Sequence, residues 1–534
     1  MRVEVRHSFP DRDNPIEYTF ETLLWSKGVS VHVSPKSETQ VHVGIEDTMI
    51  AKIHYGPRKR DHPTKNSIQI LASDFFGPRY LTPDSLPGAP VPNLHYPGFG
   101  DIPVPYSGQI PPDRVGETLL EDDSTGLFVD QLSDSGCIVS NLDLVASSFF
   151  LVSRYEEHFA VARDRHGRFE SRSSALGLWT WSAPVVNKYL EMLWKWIEMV
   201  SPVDLPMKEV YPSGRKAAVC VTHDVDMLHG WDRGGLSSKV RGRLKRVREA
   251  KGAGRFLSGG RGLISDLAAF LKGRNPYWTV PEMLEKELER GLKPTFFLMA
   301  APKGEGPFPP DYDTEDDDLE LLVGLLKKSG CEISLHGSYR SHSDCFRLIS
   351  ERSEQARVVG KESAGIRQHL LRLKIPETYR VQAAAGFAYD STLGFAEREG
   401  FRAGFCHPFM PYDLFADRSI PIWEIPMIVM DRTLYAYRKY TPEEAYGSLL
   451  RLIEEVKRYN GVLVINWHNS TLPDLQSEGW DDFYEKMLDL LSAKDLHPTD
   501  LRGMVDIWES LPGIATPAMG SSKHSDQPAK PVLY

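Results

Sequence analysis

"AVCVTHDVDMLHGWD", residues 218–232, runs four apolar residues, Ala218 to Val221, into a Thr-His-Asp-Val-Asp string. An extended chain alternates its side chains, so Thr222, Asp224 and Asp226 fall on one side and His223 and Val225 on the other. Two carboxylates on one side repel each other, and a divalent metal beside them is the economical relief. Taken alone, an Asp-x-Asp pair is more often a solvated strand-to-loop turn, so the weight of the reading lies with the rest of the chain.

From 217 onward the surrounding pattern is regular. Apolar runs at 217–222, 294–300, 332–336, 422–430 and 461–467 alternate with helical patterns at 280–291, 317–328, 346–362, 441–459 and 480–493. Such alternation predicts an α/β fold, a parallel sheet with helices outside it, and this many units suits a barrel or barrel-like architecture. Chemistry in such folds gathers where strands end. Polar candidates stand at those ends: Asp224 and Asp226, His336 in "EISLHGSYRSH" (332–342), Arg367 and His369 in "GIRQHLLRL" (365–373), and His468 in "GVLVINWHNS" (461–470). Arg367 and His369 share a face if their segment is extended, as do Asn466 and His468. Taken alone, His336 reads as a hydrogen-bonded structural histidine and Trp467 as packing. An imidazole just past a buried strand, as at His468, can exchange protons near neutral pH.

These pieces, in this order, resemble the polysaccharide deacetylases over about 217–511. That group of metal-dependent carbohydrate esterases includes chitin-oligosaccharide and peptidoglycan deacetylases. The resemblance implies an irregular (β/α) barrel with a divalent metal, usually zinc, at its mouth. "THDVD" stands against the family's T-F-D-D-G and implies Asp224 as general base and Asp226 as metal ligand. The family's H-[ST]-x-x-H motif supplies two metal-binding histidines; His336 matches the first, and Arg340 occupies the second position. Arg367 is the counterpart, by order, of an arginine that orients the base, and His468 of the catalytic acid. "YDSTLGFAEREGFRAG" (389–404) resembles a segment of several branches and implies Asp390 as an orienting residue, with a capped turn as the alternative.

The missing second histidine has two replacements. Arginine is permanently cationic and no metal ligand. His342, six residues from His336, returns to the site only through a loop, whereas His369 shares a face with Arg367. The expected metal set is Asp226, His336 and His369, with His342 the competing third ligand. The activity implied is hydrolysis of an amide on an N-acetylated sugar, in a polysaccharide or glycan precursor. A small or cyclic amide hydrolase on the same fold, and a non-catalytic glycan-binding or assembly protein, stay open as alternatives.

The remaining chain sets the frame. At 534 residues, 41% hydrophobic and 25% charged, two globular domains plus a tail are expected. The Pro- and Gly-punctuated "VDLPMKEVYPSGRK" (203–216) divides a smaller mixed α/β accessory domain, 1–205, from the barrel, 206–512. The polar 513–534 reads as a disordered tail. In the first part, 141–158 and 183–200 read as helices. Its "FFLVSRYEEH" resembles the domain that precedes such deacetylase domains in some bacterial surface-polysaccharide proteins. The Arg154 to Glu157 cluster reads as a solvated helix end, with a contact between the halves as the alternative.

No apolar run approaches the roughly 20 residues that span a bilayer, and the N-terminus lacks a secretion signal's apolar core, so a cytoplasmic location is expected. Five cysteines without a C-x-x-C pair argue against a disulfide framework or a thiolate zinc site. A net charge of −10 gives no support to a nucleic-acid partner. The basic stretch 239–256 reads as a solvated helix, or else as a contact with an anionic membrane surface or a pyrophosphate-linked glycan.

Overall fold

The structure is a computed structural model. It describes residues 2–229, 275–302, 307–475 and 479–511, except 10, 28–29, 34–40, 46–47, 58–64, 66, 89–90, 112–116, 133–134, 161, 178–180, 202–203 and 206–208. The basic stretch 239–256 and the tail 513–534 lie outside the described residues.

The Ala217–Val225 strand is buried at every position, as befits a strand covered on both faces. It pairs in parallel with Thr295–Leu298 on one side and Val462–Asn466 on the other, and with Leu496–Pro498 at its start. From edge to edge the parallel sheet runs Trp423–Glu424, Tyr389–Asp390, Gly365–Gln368, Glu332–Gly337, Thr295–Leu298, Ala217–Val225, Val462–Asn466 and Val429–Met430. Only residues 425–428 separate the two edge strands. Within that short segment the Ile425 amide donates to the Asp390 carbonyl (2.9 Å) and the Ile428 amide to the Val464 carbonyl (3.0 Å). One segment therefore bonds near both edges, and the sheet curls into a half-barrel. The run 422–430, expected as one strand, is two short ones at opposite edges because the chain crosses between them.

The outer helices start where the sequence offers caps. Asp316 accepts from the Asp318 amide, Asp344 from Arg347 and Asp500 from Gly503, and Thr441 with Glu444 closes a capping box. Each lays an apolar stripe on the sheet: the Asp317–Lys328 helix buries Leu319, Leu322, Val323 and Leu326, each worth about 1.5–3 kcal/mol of burial.

A second, mixed sheet occupies the N-terminal part. Its strands run Ser30–Val33, Arg2–His7, Val41–Ile45, Thr48–Gly56, Ser67–Leu71, Ile138–Ser140, Leu127–Gln131 and Glu117–Asp122. The helices Asp13–Leu24, Leu144–Val152 and Val185–Val200 pack with it. The Leu144–Val152 helix is buried on all sides. The two sheets are separate, yet one apolar cluster takes Tyr18, Phe149 and Trp196 from the first half and Leu335, Ile366, Phe395 and Tyr412 from the second. The Tyr18 and Tyr412 rings lie 4.7 Å apart, and the Tyr18 hydroxyl donates to the Met410 carbonyl at 2.8 Å.

The Arg154–Glu157 cluster is corrected by this contact. Arg154 and Glu157 are buried, and Glu157 accepts from Arg154 Nε at 2.8 Å and from Arg402 Nε and Nη2 at 3.0 and 2.7 Å. The helix end is not solvated because the second half brings a guanidinium to it. Burial pushes the Glu157 carboxyl up, but Arg402 and Arg154 outweigh it and hold it at about 2. Among the described residues, no helix is long and apolar enough to cross a membrane.

Candidate active site

Strand alternation delivers Thr222 and Asp224 to one side of the Ala217–Val225 strand and His223 to the other. His223 lies in the core, its Nδ1 2.8 Å from the Trp467 carbonyl and its Nε2 2.9 Å from Glu287. On the opposite side Asp224 is held at both oxygens. Arg367 Nη1 donates to Oδ1 at 3.0 Å, and Asn466 Nδ2 donates to Oδ2 at 2.8 Å. Arg367 is fully buried and itself pinned: its Nη1 donates to Thr222 Oγ1 (2.7 Å), its Nε to the Ser391 carbonyl (2.8 Å) and its Nη2 to Ser391 Oγ (3.0 Å). Its guanidinium also stands 4.3 Å over the Phe297 ring. Burial pushes the Asp224 carboxyl up, but Arg367, then His336 and His468, hold it below the usual carboxylate range. Asp224 is thus a fixed, ionised carboxylate.

Asp226, His336 and His369 meet beside it. Asp226 Oδ1 lies 3.2 Å from His336 Nε2 and 3.3 Å from His369 Nδ1, and the two imidazole nitrogens are 3.2 Å apart. His336 Nδ1 lies 3.0 Å from the Arg367 carbonyl, which can only accept, so Nδ1 carries the proton. In the neutral ring, Nε2 therefore points a lone pair at Asp226. Gly337 lets the strand end this tightly, since a Cβ there would lie 2.6 Å from Gln368 Oε1.

Three buried acceptors facing one another call for a cation. A tetrahedral zinc site with bonds of about 2.0 Å has ligand–ligand edges of about 3.3 Å, and all three sides of this triangle match. Asp226 Oδ1 is moreover a buried atom with no hydrogen-bond partner. The residues fit a divalent metal. Without one, the same field acts on protons. Burial pushes His336 down, but Asp224 and Asp226 raise it overall; burial with the His336 neighbour keeps His369 low.

His468 faces the cluster from the far side. Its Nδ1 lies 2.7 Å from Asp431 Oδ1, its amide donates to Asp431 Oδ2 at 2.8 Å, and Thr471 also donates to Oδ2. Its Nε2 is left pointing at Asp226 Oδ2 (3.7 Å) and Asp224 Oδ2 (4.0 Å). Burial disfavours the imidazolium, but Asp431 more than offsets it and the pKa is raised. The imidazole thus faces the space between the Asp226–His336–His369 triangle and the Asp224 carboxylate.

The other sequence candidates lie elsewhere. Arg340 is exposed and precedes the turn Ser341–Ser343. His342 lines a surface groove with Arg340 and Arg372, and burial plus the Arg372 charge hold its imidazole down at about 4. The triangle includes neither of them. Asp390 bonds to Thr392 and Gln382 instead of reaching the cluster, and it is the next residue, Ser391, that grips Arg367. Asp431 went unnoticed in the sequence. Its signal is close to the one that marks Asp224, an acid at the end of an apolar run, here immediately after it in "IVMD" at 428–431. A second group, His229 with Asp316 and Asp318, is partly exposed, and Asp316 already caps a helix.

Residues 7–202 match a protein family of unknown function, DUF7033. No curated protein matches the chain. Among solved structures, a putative polysaccharide deacetylase from Mycobacterium smegmatis is 20% identical over 56% of this chain and 92% of its own, with a TM-score of 0.36. A probable polysaccharide deacetylase from Pseudomonas aeruginosa PAO1 is 15% identical over 59% of this chain and 100% of its own, with a TM-score of 0.38. Puue allantoinase is 12% identical over 59% and 99%, also with a TM-score of 0.38. Likenesses at this level assign no function.

Proposed function

We propose that the chain is a metal-dependent hydrolase that removes the acetyl group from an N-acetylated sugar, with Asp226, His336 and His369 holding a divalent ion such as zinc. The observation that carries the reading is the placement of Asp224 Oδ2 and His468 Nε2, 4.0 Å from each other, beside the Asp226–His336–His369 triangle. A bound divalent ion supplies Lewis-acid chemistry, polarising the acyl oxygen and making water nucleophilic at neutral pH. The carbohydrate half of the reading rests on the order and spacing of the sequence motifs.

The chain's own groups complete the proton accounting. Water's oxygen forms a bond to the acyl carbon while Asp224 Oδ2 accepts its proton. Arg367 and Asn466 keep that carboxylate ionised and turned toward the site. His468 Nε2 then protonates the amide nitrogen as the C–N bond breaks, releasing acetate and the amine. Asp431 stabilises the imidazolium before transfer and holds the ring in place afterward.

The test is acetate release by the zinc-loaded chain from a panel of N-acetylated sugars and oligosaccharides. Turnover of at least one member, abolished by chelation and restored by zinc, is expected. Turnover of small cyclic amides alone would move the chain to the alternative hydrolase reading, and zinc binding with no hydrolysis of either class would leave a glycan-binding protein.

A further inference from the structure

One tight turn of the N-terminal half touches three of the loops that carry the site. In residues 164–168 the Asp164 side chain accepts from the His166 amide (2.8 Å), the Arg168 amide (2.9 Å) and Arg168 Nε (2.8 Å). The turn is thereby locked, and the largely buried Arg168 is aimed outward from it. Arg168 Nη1 donates to the Leu370 carbonyl at 2.9 Å, and Nη2 to the Tyr437 hydroxyl at 3.3 Å. Arg372 Nε donates to the His166 carbonyl at 2.9 Å while its guanidinium stacks 4.0 Å over the Tyr339 ring. Leu370 follows His369 directly, Tyr339 follows His336 by three residues, and Tyr437 ends the π-helical stretch Thr433–Tyr437 just after Asp431.

The contact with Leu370 matters most because of the backbone there. The strand ends at Gln368, and Leu370 and Leu371 both take left-handed conformations, φ +57° and +55°. Branched side chains resist that region, so the turn that presents His369 depends on contacts beyond its one weak backbone hydrogen bond, Arg372 amide to His369 carbonyl at 3.4 Å, and the burial of Leu371 is one of them. The carbonyl that Arg168 grips is the one inside that turn.

We infer that the 164–168 turn, within the stretch matching DUF7033, is a positioning element of the site: Arg168 holds the left-handed Leu370–Leu371 turn so that His369 stays at ligating distance from Asp226 and His336. This rests on the metal reading above. It gives the N-terminal half a task beyond packing, the completion of a metal site whose ligands all lie in the second half.

The experiment uses the metal-depleted full chain, titrated with zinc in competition with a chromophoric chelator. Arg168→Ala should weaken zinc binding about 10- to 100-fold, the usual cost of losing a residue that supports a ligand. Arg168→Lys keeps the charge beside Asp164 but lacks the fork that reaches two acceptors, and should fall in between. Glycine adopts the left-handed region freely, so Leu370→Gly placed in the Arg168→Ala background should restore much of the lost affinity. Wild-type affinity in a folded Arg168→Ala chain would overturn the inference while sparing the metal reading. Loss of affinity that tracks loss of folded protein, with no recovery from the glycine, would assign Arg168 to folding alone and likewise overturn it. Failure of the wild-type chain to bind zinc would refute the metal reading, and the inference with it.

Discussion

Two carboxylates of the molecule, Glu157 and Asp226, keep different partners. Glu157, at the contact between the halves, has both oxygens filled by the forks of Arg154 and Arg402, which never lose their charge. Asp226 faces two imidazoles, and its Oδ1 is buried without a hydrogen bond. Permanent cations with matched geometry complete a carboxylate and leave it structural. Imidazoles can be donors, acceptors or ligands, so two of them around Asp226 leave it open to a further cation in a way that Glu157 is not. The contrast separates a carboxylate held for the fold from one in the proposed metal site, although burial alone does not separate them.

The sharpest break in that contrast comes at Asp224. Asp224→Asn preserves shape but removes the base, and turnover of a verified substrate should fall about 100- to 10,000-fold. Zinc stoichiometry, read by elemental analysis, should stay at the wild-type value. At the other cluster, Arg402→Ala strands Glu157 with half its partners in the interior. Unfolding in denaturant should show about 3–5 kcal/mol lost, with zinc stoichiometry again unchanged in the chain that remains folded.

Acid sharpens the same comparison. Glu157 is held at about 2 against an ordinary 4.5, a depressed carboxyl. Its contribution is therefore fully present above pH 4.5 and is lost as pH falls toward 2. A shift of that size amounts to about 3 kcal/mol. An Arg402→Ala chain should show a shallower loss of stability across that window than wild type. Asp431→Asn keeps the shape but places an amide nitrogen where one oxygen now accepts from His468 or Thr471, and so weakens the His468 imidazolium and its orientation. Turnover should drop about 100- to 10,000-fold with zinc affinity unchanged.

Much of this site was legible in the chain because it follows the period of strands. Asp224, His336 and His468 each stand at or just past the end of an apolar run, and alternation selects the face. Arg367 and His336 are register neighbours, and Arg367 and His369 both turn toward the cluster although the strand ends between them. Asp431 was hidden because 422–430 reads as a single buried strand, when in fact the chain crosses the open side of the half-barrel there. Arg402 and Arg168 were hidden for another reason. Their partners lie 245 and 202 residues away, and no local pattern encodes a contact made only when the two halves dock. The shared apolar cluster has the same origin, since each half shows ordinary amphipathic elements and only packing joins them.

Under the proposed function, Asp226, His336 and His369 form one metal site. X-ray absorption at the zinc edge of the reconstituted full chain, beside a His369→Ala variant, tests it most directly. One zinc per wild-type chain is expected, with two imidazole nitrogens and a carboxylate oxygen at about 2.0–2.1 Å, and an imidazole lost in the variant. No zinc retained by the wild-type chain, or an unaltered spectrum in His369→Ala, would contradict it.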